Sequence, residues 1–175
     1  MSFIEARCDL WTSEADARCI TTNGYIRKNG GAVLGRGVAL QATKRFPSLE
    51  QRLGKMLAAE GNRVFVFPDA MPDAALVTFP VKPRHLEAAD DLSNVVRHKR
   101  HQFKRGDRVP GWATTAQLPL IRRSAYDLMM HVAQQNWERV LLPRPGCGAG
   151  ELAWSDVKRV LEPILDQRVW VITAP

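Results

Sequence analysis

The chain has 175 residues, of which 45% are hydrophobic, and no apolar run approaches the length of about 18 residues that spans a bilayer, which excludes an intrinsically disordered chain and a transmembrane helix. The formal net charge of +7 favours polyanionic partners, and the excess is concentrated in "RHKRHQFKRGDR" (97–108), either a solvated loop or a nucleic-acid contact surface. Three cysteines without a CxxC spacing do not form a disulfide framework and fit a reducing, cytoplasmic setting; the opening "MSFIEARCDLW", with an early Glu5, does not read as a signal peptide.

In chain order, "FIEARCDL" (3–10) and "ARCITTN" (17–23) read as strands rich in apolar and β-branched residues. "GRGVALQATKRF" (35–46) reads as a helix entered through glycines. "SLEQRLGKMLAAEG" (48–61) reads as a second helix, opened by a Ser48 cap with Gln51 three residues on and closed by Gly61. "RVFVF" (63–67) and "ALVTF" (75–79) are short strands split by a Pro/Asp turn. Residues 83–117 read as an irregular, polar and basic insertion, with Pro110 and Gly111 marking loop. "LPLIRRSAYDLMMHVAQQNW" (118–137) is a long amphipathic helix with Ile121, Ala125, Leu128, Met129 and Val132 as its core face. "RVLLP" (139–143) is a buried strand, "WSDVKRVLEPILD" (154–166) a helix that Pro163 should kink or shorten, and "RVWVIT" (168–173) a last strand. The alternation predicts one α/β domain over 1–175, a three-layer α/β/α sandwich on a central mixed sheet, with ligands beyond the carboxyl ends of the strands.

Two glycine-rich segments follow strands. In "NGGAVLGRGVA" (29–39), Gly30 and Gly35 have the spacing of a phosphate-binding P-loop, but Arg36 and Gly37 stand where Lys and Ser or Thr are required. A dinucleotide fingerprint fails as well, because Leu40 stands where its third glycine belongs. "LLPRPGCGAGELAWSDV" (141–157) alternates glycines with Cys147 and Ala149. Such backbone forms anion-binding nests, helped by a helix N-terminus downstream. As a nucleophile Cys147 lacks context: Ala153 stands where a cysteine phosphatase needs Arg, and none of the four histidines marks a base. His98 and His101 lack further ligands at a metal-site spacing, so neither a metal nor a cofactor is called for. Two cradles on one sheet suit a ligand with a diphosphate between two ends, with Asn23 placed for a sugar hydroxyl and Asp9 for an adenine amino group.

Together "CDLWTSEADARCITTNG" (8–24), "GGAVLGRGVALQATKRFP" (30–47), "VTFPVK" (77–82) and "LPRPGCGAGELAWSDV" (142–157) resemble a macrodomain through most of the chain, residues 83–117 excepted. The resemblance implies ADP-ribose or an ADP-ribosylated substrate as partner. It implies binding through Asp9 and Leu10 at the adenine, Asn23 near the distal ribose, Gly35, Arg36, Gly37 and Val38 in the first loop, and Gly146, Cys147, Gly148, Ala149, Gly150 and Glu151 in the second. "VTFPVK" with "PRPGCGAGELAW" is similar to the branch containing the DNA ADP-ribosyl glycohydrolase antitoxins, which places Lys82 as the catalytic residue. A lysine there serves as nucleophile, or stabilises the opened sugar, if burial or a neighbouring cation such as Arg36 lowers its pKa. Read alone, Lys82 is an ordinary surface lysine opening a basic loop. Some relatives carry an Asp where this chain has Gly148-Ala149-Gly150, or Leu-Asp-Trp where it has Leu152-Ala153-Trp154, and the Trp common soon after the lysine is absent. Hydrolysis of ADP-ribosyl groups and non-catalytic binding of ADP-ribose both remain open, and plain nucleic-acid binding through 97–108 is a third reading.

Overall fold

The computed structural model describes residues 1–175. Its main sheet has six strands: β1 (Ile4–Arg7), β2 (Ala17–Asn23), β3 (Phe65–Phe67), β4 (Ala75–Lys82), β7 (Val140–Pro143) and β8 (Val169–Thr173), in the order β1-β8-β7-β2-β4-β3. All neighbours are parallel except β3, which runs antiparallel to β4, so the sheet is mixed as expected. Side chains alternate across it. Ala17, Cys19, Val77, Phe79 and Val81 share a core with α3 (Leu118–Gln135) and α4 (Trp154–Leu161). Ile20 and Leu76 point the other way, into a second core with α1 (Gly37–Arg45) and α2 (Leu49–Glu60). Two cores on opposite faces make the three-layer sandwich that the alternation of elements predicts. No helix is long and apolar enough to cross a membrane.

The strand β4 is buried at every position, as expected of a strand covered on both faces. It runs three residues past the expected end at Phe79, through Pro80 to Lys82. The missing N–H of Pro80 is tolerated because β3 pairs no further along β4 than Thr78, and the Pro80 carbonyl accepts a hydrogen bond from Ser124 Oγ at 2.7 Å. Strand β1 stops at Arg7 rather than at Leu10, because Asp9 turns the chain: its Oδ1 accepts from the N–H groups of Trp11 (2.8 Å) and Thr12 (3.0 Å). Ser48 caps α2 with its backbone only; its side chain makes no capping hydrogen bond. The last helix ends at Leu161, two residues before Pro163, so the proline shortens it.

Residues 83–117 contain short regular elements between irregular stretches. They form a two-stranded antiparallel hairpin, β5 (His85–Glu87) with β6 (Arg108–Pro110), and two 3-10 turns at Arg97–Gln102 and Gly111–Ala113. Ala88, Val95, Val109 and Ala113 give the segment a small core of its own, against which Leu86, Leu92, Phe103 and Trp112 pack. These apolar residues are spread among charged ones, so no periodicity announces them in the sequence.

Helix α2 buttresses the first glycine-rich loop by direct backbone contact. A Cβ on Gly54 would lie 1.8 Å from the carbonyl oxygen of Gly30, where nothing flexible can yield. Gly54→Ala is therefore expected to destabilise the fold by about 1–3 kcal/mol, more than the helix-propensity gain of alanine restores. Urea unfolding of the variant beside Ala58→Gly, a solvent-side change in the same helix, measures the difference.

Candidate functional site

Three parallel strands end at one edge of the sheet: β2 at Asn23, β4 at Lys82 and β7 at Pro143. A register shift between Thr22 and Asn23 sets Asn23 opposite Lys82. Beyond this edge lies a cleft of about 710 Å³. Its walls are the strand ends, Val33 to Arg36 with the first turn of α1, the loop from Pro143 to Glu151, and Val96, His98, Lys99 and Trp112 of the insertion.

Lys82 stands at the base of this arrangement and is only 8% exposed, so it is not the ordinary surface lysine of the plain reading. Burial, first, pushes its ammonium down to about 8; the Glu151 carboxylate works against this and the Arg36 guanidinium adds to it. The backbone at Lys82 is clamped. Asn62 Nδ2 donates to the Lys82 carbonyl at 3.0 Å, and the adjoining Arg63 grips Asp127 of α3 through two hydrogen bonds of 2.7 and 2.6 Å.

The first loop is pinned by Asn23, whose Nδ2 donates to the Val33 carbonyl at 3.0 Å while its Oδ1 accepts from the Tyr25 N–H at 2.9 Å. Asn23 thus shapes the loop as well as lining the cleft. The loop leads into α1, whose first turn has no acidic residue and no side-chain cap. The Leu40 N–H bonds to the Arg36 carbonyl at 3.1 Å, which leaves the N–H groups of Gly37, Val38 and Ala39 without intrahelical acceptors, at residues that line the cleft. An uncapped helix start beside Arg36 is electropositive.

In the second loop the glycines divide their roles. Gly146, at φ +77°, and Gly150 lie against Ala116, and a Cβ on either would come within 2.9 or 2.6 Å of the Ala116 methyl. Gly148 has nothing within 4 Å of a notional Cβ and faces open space. Cys147 does not line the cleft. Its Sγ lies 3.6 Å from the Pro145 carbonyl, it packs against the α3/α4 core, and burial pushes its thiol up, away from thiolate. Glu151 adopts a left-handed φ of +64°, and its carboxylate accepts from the Arg97 N–H at 3.0 Å, joining the loop to the insertion. Below the loop Glu5 gathers Trp154 Nε1 (3.0 Å), Lys158 (2.8 Å) and Arg144 (3.5 Å), and Arg144 lies 4.7 Å from the Trp154 ring centre.

The cleft therefore brings together Asn23, Gly35, Arg36, Gly37, Val38, Lys82, Gly146, Gly148, Ala149, Gly150 and Glu151. It leaves out Cys147, Asp9, which is exposed with its Oδ1 engaged by its own turn, and Leu10, which is buried in the α1/α2 core. His98, Lys99, Trp112 and Arg144 join the site unannounced. The basic run was visible in the sequence, but which of its members face the cleft depends on the 3-10 turns. His98 is pushed down by desolvation and then by Arg36, Lys99 and Lys82, a sign of how positive this wall is.

The buried ammonium makes a stability prediction. Below pH 8 Lys82 is protonated in the folded and unfolded chains alike, so the whole cost of burying its charge is present; the cost fades as pH rises from about 8 toward the ordinary lysine value of 10.5. Lys82→Met is expected to stabilise the fold by up to about 3 kcal/mol below pH 8, with the gain vanishing in the alkaline range. Urea unfolding of both proteins across this pH range follows the convergence.

No protein-family model and no curated protein matches the sequence. Solved structures do match. The macrodomain of Mycobacterium tuberculosis DarG is 21% identical with a TM-score of 0.67, over 98% of each chain. The macrodomain of Thermus aquaticus DarG is 23% identical with a TM-score of 0.65, over 98% of this chain and 97% of the other. Thermosipho africanus DarTG in complex with ADP-ribose is 16% identical with a TM-score of 0.66, over 95% of this chain and 40% of the other. With its six-stranded mixed sheet between two helical layers, the chain has the macrodomain fold.

Proposed function

We propose that the chain binds ADP-ribose in this cleft and is a glycohydrolase that removes ADP-ribosyl groups from modified nucleic acid or protein. The observation that carries the reading is Lys82: a buried amine of lowered pKa at the base of the cleft, between two loops whose free backbone N–H groups and small side chains suit a diphosphate. The similar Thermosipho africanus structure holds ADP-ribose, and a cleft of about 710 Å³ accommodates a molecule of that size. The diphosphate lies against the first turn of α1 and the 146–150 loop, and the distal ribose faces Lys82. At pH 7 roughly one Lys82 in ten carries the neutral amine required of a nucleophile. Its Nζ attacks the anomeric carbon, the bond to the modified group breaks with that group taking up a proton, and water then releases ADP-ribose and restores the amine.

The test is release of ADP-ribose from ADP-ribosylated DNA and from ADP-ribosylated protein. Lys82→Ala is expected to lose turnover by 100-fold or more, on the order of removing a nucleophile, while still binding free ADP-ribose in a calorimeter. A wild-type protein that binds ADP-ribose but releases none from either substrate is a binding module, and hydrolysis is overturned.

Because the neutral amine is the reactive form, kcat/KM should rise with pH and level off above an inflection near 8. Glu151→Gln, which removes the carboxylate holding that value up, should move the inflection to lower pH.

The loop geometry gives a paired expectation for affinity. Cys147→Ser should leave the Kd for ADP-ribose within about threefold, since the thiol lies outside the cleft and the swap is nearly isosteric. Gly148→Glu should fold normally, because the position is open, yet abolish measurable binding by placing a carboxylate where the diphosphate lies.

A further inference from the structure

The cleft carries a titratable side chain that attack by Lys82 does not use. Of the four histidines only His98 lines it, from the first 3-10 turn of the insertion. The backbone on either side of His98 is held. The Arg97 N–H bonds to the Glu151 carboxylate at 3.0 Å, and the Lys99 N–H to the Val96 carbonyl at 2.9 Å. Val96 in turn donates its N–H to the Ala113 carbonyl at 2.9 Å. The residue is exposed, yet it stands close enough to Lys82, Arg36, Lys99 and Glu151 to feel the charge of each.

Hydrolysis by way of Lys82 needs a proton acceptor that Lys82 itself cannot be. Once Nζ is bonded to the anomeric carbon, the water that displaces it must lose a proton to another group. The titratable side chains lining the cleft are Arg36, Lys82, His98, Lys99, Arg144 and Glu151. The arginines and Lys99 only donate hydrogen bonds. Glu151 already holds the Arg97 N–H with its carboxylate. His98 is left, and its surroundings suit the task. Desolvation first, then Arg36 and Lys99, outweigh Glu151 and push its pKa below the ordinary histidine value, with Lys82 adding to them. The imidazole is therefore chiefly neutral at pH 7 and open to a proton.

We propose that His98 is the general base of the second half of the reaction, accepting a proton from the water that releases ADP-ribose from Lys82. The water oxygen bonds to the anomeric carbon, and the bond from that carbon to Nζ breaks with its electron pair returning to Nζ. The water proton passes through His98 to Nζ and restores the amine. The first half, in which Nζ attacks and the modified group departs, does not use His98. This rests on the reading of Lys82 as a nucleophile, and the test separates the two.

The wild-type protein, His98→Gln and Glu151→Gln are each mixed with ADP-ribosylated DNA and with ADP-ribosylated protein. Release of the unmodified acceptor in a single turnover reads the first half, and steady-state release of ADP-ribose reads both halves. Intact-protein mass spectrometry detects any ADP-ribosyl group left on the chain, and peptide mapping places it. His98→Gln is expected to release acceptor within about threefold of wild type but to turn over about 100-fold more slowly, the usual scale for losing a general base. An ADP-ribosyl group should accumulate on its Lys82. Glu151→Gln, whose amide oxygen can still accept from the Arg97 N–H, should accumulate none. The assignment is overturned if His98→Gln turns over like wild type, if it slows without an adduct, or if the adduct appears in Glu151→Gln instead. A wild-type protein that releases no acceptor from either substrate overturns the hydrolase reading, and this inference with it.

Discussion

A charged amine at the end of a strand buried along its whole length is the constraint around which this molecule is arranged. Strand β4 lies between β2 and the edge strand β3, covered on both faces, and its last residue is Lys82. A lysine in such a place is held at a cost, and the surroundings do not relieve it by close pairing: Glu151 favours the charge while Arg36 and burial oppose it. The consequence is an amine suspended between protonation states, at the point where three parallel strands release the chain into loops. The clamp from Asn62 and the register shift beside Asn23 hold that amine in position. The structure tolerates a local cost here, the pattern expected where function and stability compete.

Around the lysine the cleft is built mostly from backbone. Its two loops contribute Gly35, Gly37, Gly146, Gly148 and Gly150 with small or aliphatic neighbours. A backbone site depends on the path of the chain, so its determinants lie behind it: Gly54 lets α2 touch the Gly30 carbonyl, Ala116 makes room for Gly146 and Gly150, and Glu5 anchors Trp154, Lys158 and Arg144 beneath the second loop. Residues outside the cleft thus fix the path of the two loops that line it.

This division explains what could be read from the sequence. The order of strands and helices followed from the alternation of apolar residues, and the two loops from their glycines. The end of β4 did not, because Pro80 looks like a terminator, and only the early end of β3 and the Ser124 hydroxyl make it acceptable there. Asp9 at the end of a strand also shapes the chain there, since its Oδ1 holds the turn that ends β1, a role the sequence did not announce. The insertion hid most completely: four buried residues, Ala88, Val95, Val109 and Ala113, are too few and too scattered to produce a period, yet they order the segment that brings His98, Lys99 and Trp112 to the cleft.

Pro80 has one more effect, on how this molecule meets copies of itself. The outer edge of the sheet is closed by β3, a strand of only three residues, and β4 extends past it. An overhanging strand is a template on which a second chain can add by main-chain hydrogen bonds, the first step toward aggregation. At Pro80 there is no N–H to offer, and the carbonyl is already taken by Ser124. The Val81 carbonyl accepts from the Gln117 N–H at 2.9 Å and the Lys82 carbonyl from Asn62 Nδ2 at 3.0 Å, so the chain's own residues occupy the overhang and leave no carbonyl there for another chain to pair with.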